Sequence, residues 1–183
     1  MKATDDLKDE HRLIEVVLRA LDHMARQLEM GRPLNRDHAE RAVEILRSFA
    51  DKCHHAKEEK HLFPLLEARG VPHEGGPISA LLHDHEEGRA HVRALGRSLV
   101  GACEGDPQAT PTFARHARAY VSLLRAHIQK EDDVLFPLAD QRLTPDDDAA
   151  LVSAFQQIER DEIGEGVHDK YHRWAHDLAD HGD

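Results

Sequence analysis

Aromatic residues are scarce in this chain of 183 residues: one Trp, two Tyr and five Phe. A core must therefore be built mainly from Leu, Val, Ile and Ala, which favours helices over the β-branched and aromatic packing of a sheet. Cysteine is nearly absent. Cys53 and Cys103 form neither a CxxC motif nor a disulfide framework, which agrees with a reducing compartment and leaves both as ordinary helix residues. Long apolar runs are missing as well. No segment approaches the roughly 20 apolar residues of a membrane span, and the start Met1-Lys2-Ala3-Thr4-Asp5-Asp6 lacks the apolar stretch of a secretory signal. A cytoplasmic protein is expected. There is no basic run, and a formal charge of −11 repels phosphate backbones and anionic lipid, so nucleic-acid and membrane-surface roles are excluded.

What the chain has in excess is histidine, sixteen of them, and imidazole chemistry is the natural suspicion. The length suits one domain with one core. Leu7, His11, Ile14, Leu18, Leu21, Ala25 and Leu28 recur in steps of four and three, the stripe of a bundle helix, with His11 inside it. Gly31-Arg32-Pro33 breaks that pattern, and Asn35 is placed to cap a second helix ending at Gly70. Its expected inner face includes Val43, Leu46, Ala50, His54, Glu58 and Leu65. After the linker 71–77, a third helix is expected over about 78–102 and a fourth over about 111–141. Thr144-Pro145 reads as the start of a fifth, ending near Ala179 and carrying Leu151, Phe155, Ile158, Trp174 and Leu178. The expected fold is all-α: an antiparallel up-down-up-down four-helix bundle over 1–142, with a C-terminal helical extension over 143–183 packed on the same domain.

An internal duplication matters more than these boundaries. HHAKEEKHLFP (54–64) and HIQKEDDVLFP (127–137) place His, Lys, Glu and Leu-Phe-Pro at identical offsets. EHRLIEVVLRAL from Glu10 and DHEEGRAHVRAL from Asp84 align His11 with His85. Two such hairpins would meet around a pseudo-twofold axis. His54 with Glu58, and His127 with Glu131, stand four residues apart, so each pair projects from one helix face about 6 Å apart along the axis. His55 and Glu59 form a competing HxxxE, but only His54 with Glu58 matches His127 with Glu131 relative to Leu-Phe-Pro.

Four imidazoles and two carboxylates thus point into one interior. Two buried glutamates without cations would cost several kcal/mol each, and no inward-facing Lys or Arg is obvious on these stripes. Two divalent metals would supply the charge, and imidazole with carboxylate suits Fe, Mn or Zn. With two Fe(II), two Glu and a bridging hydroxide, simple counting leaves about one net positive charge, tolerable for a buried site. The repeated Phe63-Pro64 and Phe136-Pro137 read as packing and shape, each proline removing one ladder hydrogen bond. His23, His38, His73, His91, His116, His172, His176 and His181 read as solvent-facing, His83 as near-site or surface, and Asp146-Asp147-Asp148 as a helix N-terminus and nothing more.

On His11, the two HxxxE-LFP segments and His85 within HDHEEGR, the chain resembles the hemerythrin-like, or HHE cation-binding, family over roughly residues 5–140. The resemblance implies a centre of two iron ions, Fe2+/Fe3+, with an oxo or hydroxo bridge. His11, His54, His85 and His127 would be terminal metal ligands, and Glu58 and Glu131 would bridge. Oxygen-carrying hemerythrins have five histidines, with a HxxxH pair in the third helix and an HxxxxD in the fourth; here Arg89 follows His85 and Glu131 follows His127. One ligand position is left open, to be filled by His55, by His61, by Glu165 and His168 of an ExxH pair, or by water. An open position favours O₂ or peroxide chemistry over reversible carriage. The functional expectation is a di-iron protein that binds or reacts with O₂ or a related small oxidant, as sensor or scavenger. The alternatives are an enzyme reducing peroxide or nitric oxide, and a redox-silent zinc or structural bundle.

Overall fold

The computed structural model describes residues 1–164 and 167–180, and among these there are helices and no strand. Helix α1 is Lys2–Glu29. Helix α2 spans 36–68, α3 is Pro77–Glu104, α4 spans 109–142, α5 spans 145–163, and α6 is Val167–Asp180. The Asn35 side chain caps α2 by accepting the His38 N–H at 3.1 Å. Gly70 and Gly105 close α2 and α3 at φ +85° and +76°, a left-handed turn that costs an L side chain energy and glycine almost none. Thr144 and Asp147 form the reciprocal capping box of α5. The single C-terminal helix expected to run to Ala179 is instead two helices, because Gly164 at φ +88° interrupts it.

Helices α1 to α4 form the up-down-up-down bundle. Its interior is two apolar clusters separated by a polar layer. One joins Leu13–Leu28 of α1 to the early turns of α2, the late turns of α3 and the early turns of α4. The other joins Ala3 and Leu7 to Leu62, Phe63, Leu66, Ile78, Leu81, Leu135 and Phe136. This exchange of ends is what antiparallel neighbours produce. All five phenylalanines are buried, each contributing about 1.5–3 kcal/mol. Helix α5 adds Leu151 and Phe155 to the second cluster, and α6 adds Tyr171, Ala175 and Leu178 to the first.

The acidic run has a structural role that its sequence did not announce. Asp147 takes a bidentate salt bridge from Arg69 at the end of α2, and Asp148 accepts the backbone N–H groups of Lys2 and Ala3. The start of α5 is thereby tied to α1 and α2. No helix among the described residues is long and apolar enough to cross a membrane.

Helices α2 and α4 are not uniformly α-helical. Wide turns closed by i→i+5 bonds occupy Leu46–His55 and Glu58–Leu62 in α2 and Glu131–Leu135 in α4. The last two each end two residues before a proline, where Phe63 and Phe136 donate to the Glu58 and Glu131 carbonyls. Pro64 and Pro137 cannot donate and crowd the carbonyl four residues back, which disfavours the ordinary ladder there. The wide turn also delays the inward stripe by one residue: Leu66 is buried, and Leu65, expected to face inward, is only half-buried.

Candidate metal centre

The polar layer is where the two halves of the duplication meet. It holds His11 from α1, His54, His55 and Glu58 from α2, His85 from α3, and His127 and Glu131 from α4, all buried. Their ligating atoms converge into two groups: His55, Glu58, His85 and His127, and His11, His54, Glu58 and Glu131. Glu58 belongs to both, and Glu131 belongs to the second while touching His127 of the first. Glu58 places Oε1 3.6 Å from His54 Nε2 and Oε2 3.5 Å from His85 Nε2. Glu131 Oε2 lies 3.2 Å from Nε2 of both His11 and His127. The Nε2 atoms of His85 and His127 face each other at 3.2 Å.

The layer is polar but internally unsatisfied. Of the nine buried side-chain polar atoms without a hydrogen-bond partner among the described residues, eight belong to it: Nε2 of His11 and His54, both ring nitrogens of His55, and all four oxygens of Glu58 and Glu131. Each such group costs about 1–3 kcal/mol when left unpaired. Groups this numerous, pointing at common centres, fit a cation set better than they fit each other.

Four histidines have their outer nitrogen fixed by a carboxylate. His11 Nδ1–H donates to Asp132 at 2.9 Å, His54 to Glu10 at 2.8 Å, His85 to Glu59 at 2.6 Å, and His127 to Asp84 at 3.3 Å. An ionised carboxylate only accepts, so each Nδ1 carries a proton and each Nε2 faces inward, where a metal would take its lone pair, the arrangement of a metal-ligating histidine. The pattern obeys the duplication. Glu10 and Asp84, which precede His11 and His85, serve His54 and His127; Glu59 and Asp132, which follow Glu58 and Glu131, serve His85 and His11. Sequence reasoning missed all four. Their signal was an acid beside His11, Glu58, His85 and Glu131, hidden because each acts on a neighbouring helix.

A cation inside the bundle was also missed. Lys57 is buried, against the expectation of no inward Lys, but its Nζ donates to Glu10 at 2.5 Å and Glu159 at 2.6 Å, not to Glu58 or Glu131. The charge of the two central carboxylates therefore stays uncompensated by side chains other than histidine. Burial, then the neighbouring Glu131 charge, hold the Glu58 carboxyl well above its ordinary pKa. Burial acts on Glu131 in the same sense, but His127 and His11 more than reverse it. His127 is disfavoured as a cation by burial, yet Glu131 and Asp84 raise its pKa to about 9. Burial takes His54 down to about 4.

His55 is brought into the layer and His61 is not. His55 stacks on His85 with centroids 3.9 Å apart, whereas His61 is half-exposed and belongs to neither group. Adjacent residues on an α-helix diverge too far to share a site. The wide turn through Leu46–His55 holds more residues per revolution, which narrows that divergence and lets His54 and His55 both face inward. Glu59 of the competing register is an outer residue, bonded to His85 and Arg89. Arg89 also binds Asp51. Glu165 and the side chain of His168 lie outside the described residues, as does His181. Of the histidines expected at the surface, His73, His83 and His176 are exposed, while His23, His38, His91, His116 and His172 are half-buried. Phe136 stacks on His11 at 5.5 Å and Phe63 on His85 at 5.9 Å, walling the layer from below.

The family model of the hemerythrin HHE cation-binding domain matches residues 2–139. Uncharacterized proteins of Mycobacterium tuberculosis and Mycobacterium bovis are each 25% identical over 163 residues, covering 89% of this chain and 63% of their own length. This chain thus spans less than two thirds of those relatives. A Neisseria gonorrhoeae protein named iron-sulfur cluster repair protein DnrN is 36% identical over 89 residues, 45% of this chain and 54% of its own. No solved structure matches. With three quarters of its length under that family model and a buried His/Glu layer able to hold cations, the chain belongs to the hemerythrin HHE cation-binding domain family.

Proposed function

We propose that the polar layer is a non-haem di-iron centre through which this protein binds or reacts with O₂ or a related small oxidant, as a sensor or scavenger. The observation that carries the reading is the set of eight unpartnered buried atoms on five residues of the layer, His11, His54, His55, Glu58 and Glu131. His55, His85 and His127 would hold one metal and His11, His54 and Glu131 the other, with Glu58 common to both groups and Glu131 also in reach of His127. Iron, when bound there, supplies electrons to an oxidant. The chain's own residues do the rest. Asp132, Glu10, Glu59 and Asp84 keep the imidazole lone pairs aimed inward, and Phe63 and Phe136 restrict water. The side with two histidines has fewer protein donors, so coordination space for a small ligand falls there, beside Phe136. His55, one of the candidates for the position left open by the sequence, faces the layer beside His85 and His127, which supports a set of five histidines and weakens the case against an oxygen carrier.

The test is anaerobic loading with Fe(II), followed by metal analysis and a visible spectrum before and after oxygen. Two irons per chain and oxo-to-iron charge-transfer bands are expected; less than one metal per chain, or zinc as the metal in protein from its own host, removes the reading. A second reading is favoured by the likeness to a protein named for iron-sulfur cluster repair: the centre would act on damaged clusters, or turn over peroxide or nitric oxide. Multiple turnovers with a reductant, or recovery of a damaged cluster in a mixed assay, would support it, and stoichiometric bleaching alone would count against it.

A further inference from the structure

Lys57 and Lys130 occupy equivalent positions of the duplicated motif, and each grips the carboxylate that orients an inward histidine: Lys57 holds Glu10 behind His54, and Lys130 holds Asp84 behind His127. Their surroundings differ. Lys130 ends at Asp84, and its side chain is 45% exposed. Lys57 is 1% exposed, because α5 lies over it; its Nζ also donates to Glu159 Oε1 and sits 5.6 Å from the Phe155 ring centroid. A buried ammonium that loses one of its two carboxylates is left with uncompensated charge. Contacts therefore run without a gap from the His54 imidazole through Glu10 and Lys57 to Glu159, a half-exposed residue outside the span that the family model covers. A cleft of about 300 Å³ lined by Asp9, Glu10, Phe155 and Glu159 opens at this junction.

We infer that Glu159 is a positioning residue for the metal centre: by docking α5 onto Lys57 and Glu10 it locks the His54 ring, so that seating of the C-terminal extension and metal occupancy on the His11/His54 side stabilise each other. The inference rests on the di-iron reading above. The coupling is reciprocal by linkage. Only one half of the duplicated centre has it, and that half is the one with fewer protein donors.

The test uses the full chain loaded with iron and challenged with excess ferrous chelator, with release followed optically. Two irons in unlike donor sets should leave in two phases. Glu159→Gln should accelerate one phase by roughly tenfold, the lower end of what loss of an outer partner costs in metal affinity, and leave the other within about twofold. Lys130→Met should accelerate the other phase. In a background of Lys57→Gln, Glu159→Gln should add nothing, since the chain is already cut. Hydrogen exchange over 155–163 should slow on iron loading of the wild type and not of Glu159→Gln. Equal acceleration of both phases, unchanged release, or additive effects of the two substitutions would overturn the inference. A wild-type chain that does not take up two irons defeats the di-iron reading itself, before any variant is made.

Discussion

Glu58 and Glu10 are both buried glutamates on bundle helices, yet replacing each by leucine should move the stability of the metal-free protein in opposite directions. Both Glu58 oxygens lack a hydrogen-bond partner, and leaving a buried polar group unpaired costs about 1–3 kcal/mol. Leucine has similar volume and belongs beside the apolar cluster of Leu62 and Phe63. Glu58→Leu should therefore stabilise the iron-free fold by about 2 kcal/mol, or roughly 4–8 °C in Tm for a chain of this size. The pH dependence has a definite sign. The Glu58 carboxyl is held well above its ordinary pKa by burial and by Glu131, so the wild type must take up a proton to fold above about pH 4.5, and the advantage of leucine should grow from pH 4 to pH 7. Glu10 is the reverse case. Burial disfavours its charge, but His54 and Lys57 bring its pKa down to about 2, a stabilisation on the order of 3 kcal/mol that is present above about pH 4.5 and lost as pH falls toward 2. Glu10→Leu should cost that much and leave Lys57 with Glu159 alone. The assay is thermal unfolding in chelator, repeated with iron, where the wild type should gain most from metal, Glu10→Leu less and Glu58→Leu least. If Glu58→Leu melts at or below the wild type in chelator, its carboxyl has a partner within the fold and the case for a cation fails.

Other substitutions and conditions test separate parts of the centre. In metal-free protein the raised pKa of His127, about 9, contributes stability that is complete below about pH 6.5 and lost as pH rises through 9, whereas iron must displace that proton and should bind more tightly over the same window; thermal unfolding and chelator competition across pH 6–9.5 should show opposite slopes. His55→Ile makes the second helix match Ile128 of the fourth, and iron retained after dialysis should fall from two per chain to about one. Glu59→Ala should leave the fold intact but lower metal affinity by about tenfold through His85, measured by competition with a chelator, and Asp132→Ala should do the same through His11.

The bundle was legible because its signals are local. Stripes of Leu and Ile, Asn35 and Thr144 as caps, and glycines 70 and 105 as terminators depend only on near neighbours in the chain. The inward histidines and glutamates were legible because the duplication repeated them. What stayed hidden acts between helices. Glu10 serves His54 and Asp84 serves His127, pairings more than 40 residues apart that no spacing rule within one helix exposes. No inward lysine was apparent, because the burial of Lys57 comes from α5 and not from its own stripe. Leu65 was placed by α-helical periodicity, which the wide turns ahead of Pro64 shift by one residue. Gly164 was visible in the sequence, and the apolar residues on either side of it outweighed it.

Duplication alone would make the two sides of the centre equal, and equal sides give a small ligand no preferred place to bind. The symmetric inheritance is extensive: four outer acids, two inner carboxylates, two lysines and two phenylalanine walls all occur in matched pairs. Two departures break it. His55 stands where the fourth helix has Ile128, adding a donor to the side of His85 and His127. Helix α5 buries Lys57 while Lys130 stays in solvent, tightening the hold on His54 from behind. On the di-iron reading, the first departure would place coordination space on the His11/His54 side, and the second would place that same side under the control of the C-terminal extension. The two are independent in sequence, one a single residue in α2 and the other a segment beyond the family's span, yet both act on one question, namely where an external ligand can enter and what holds the histidine it would meet.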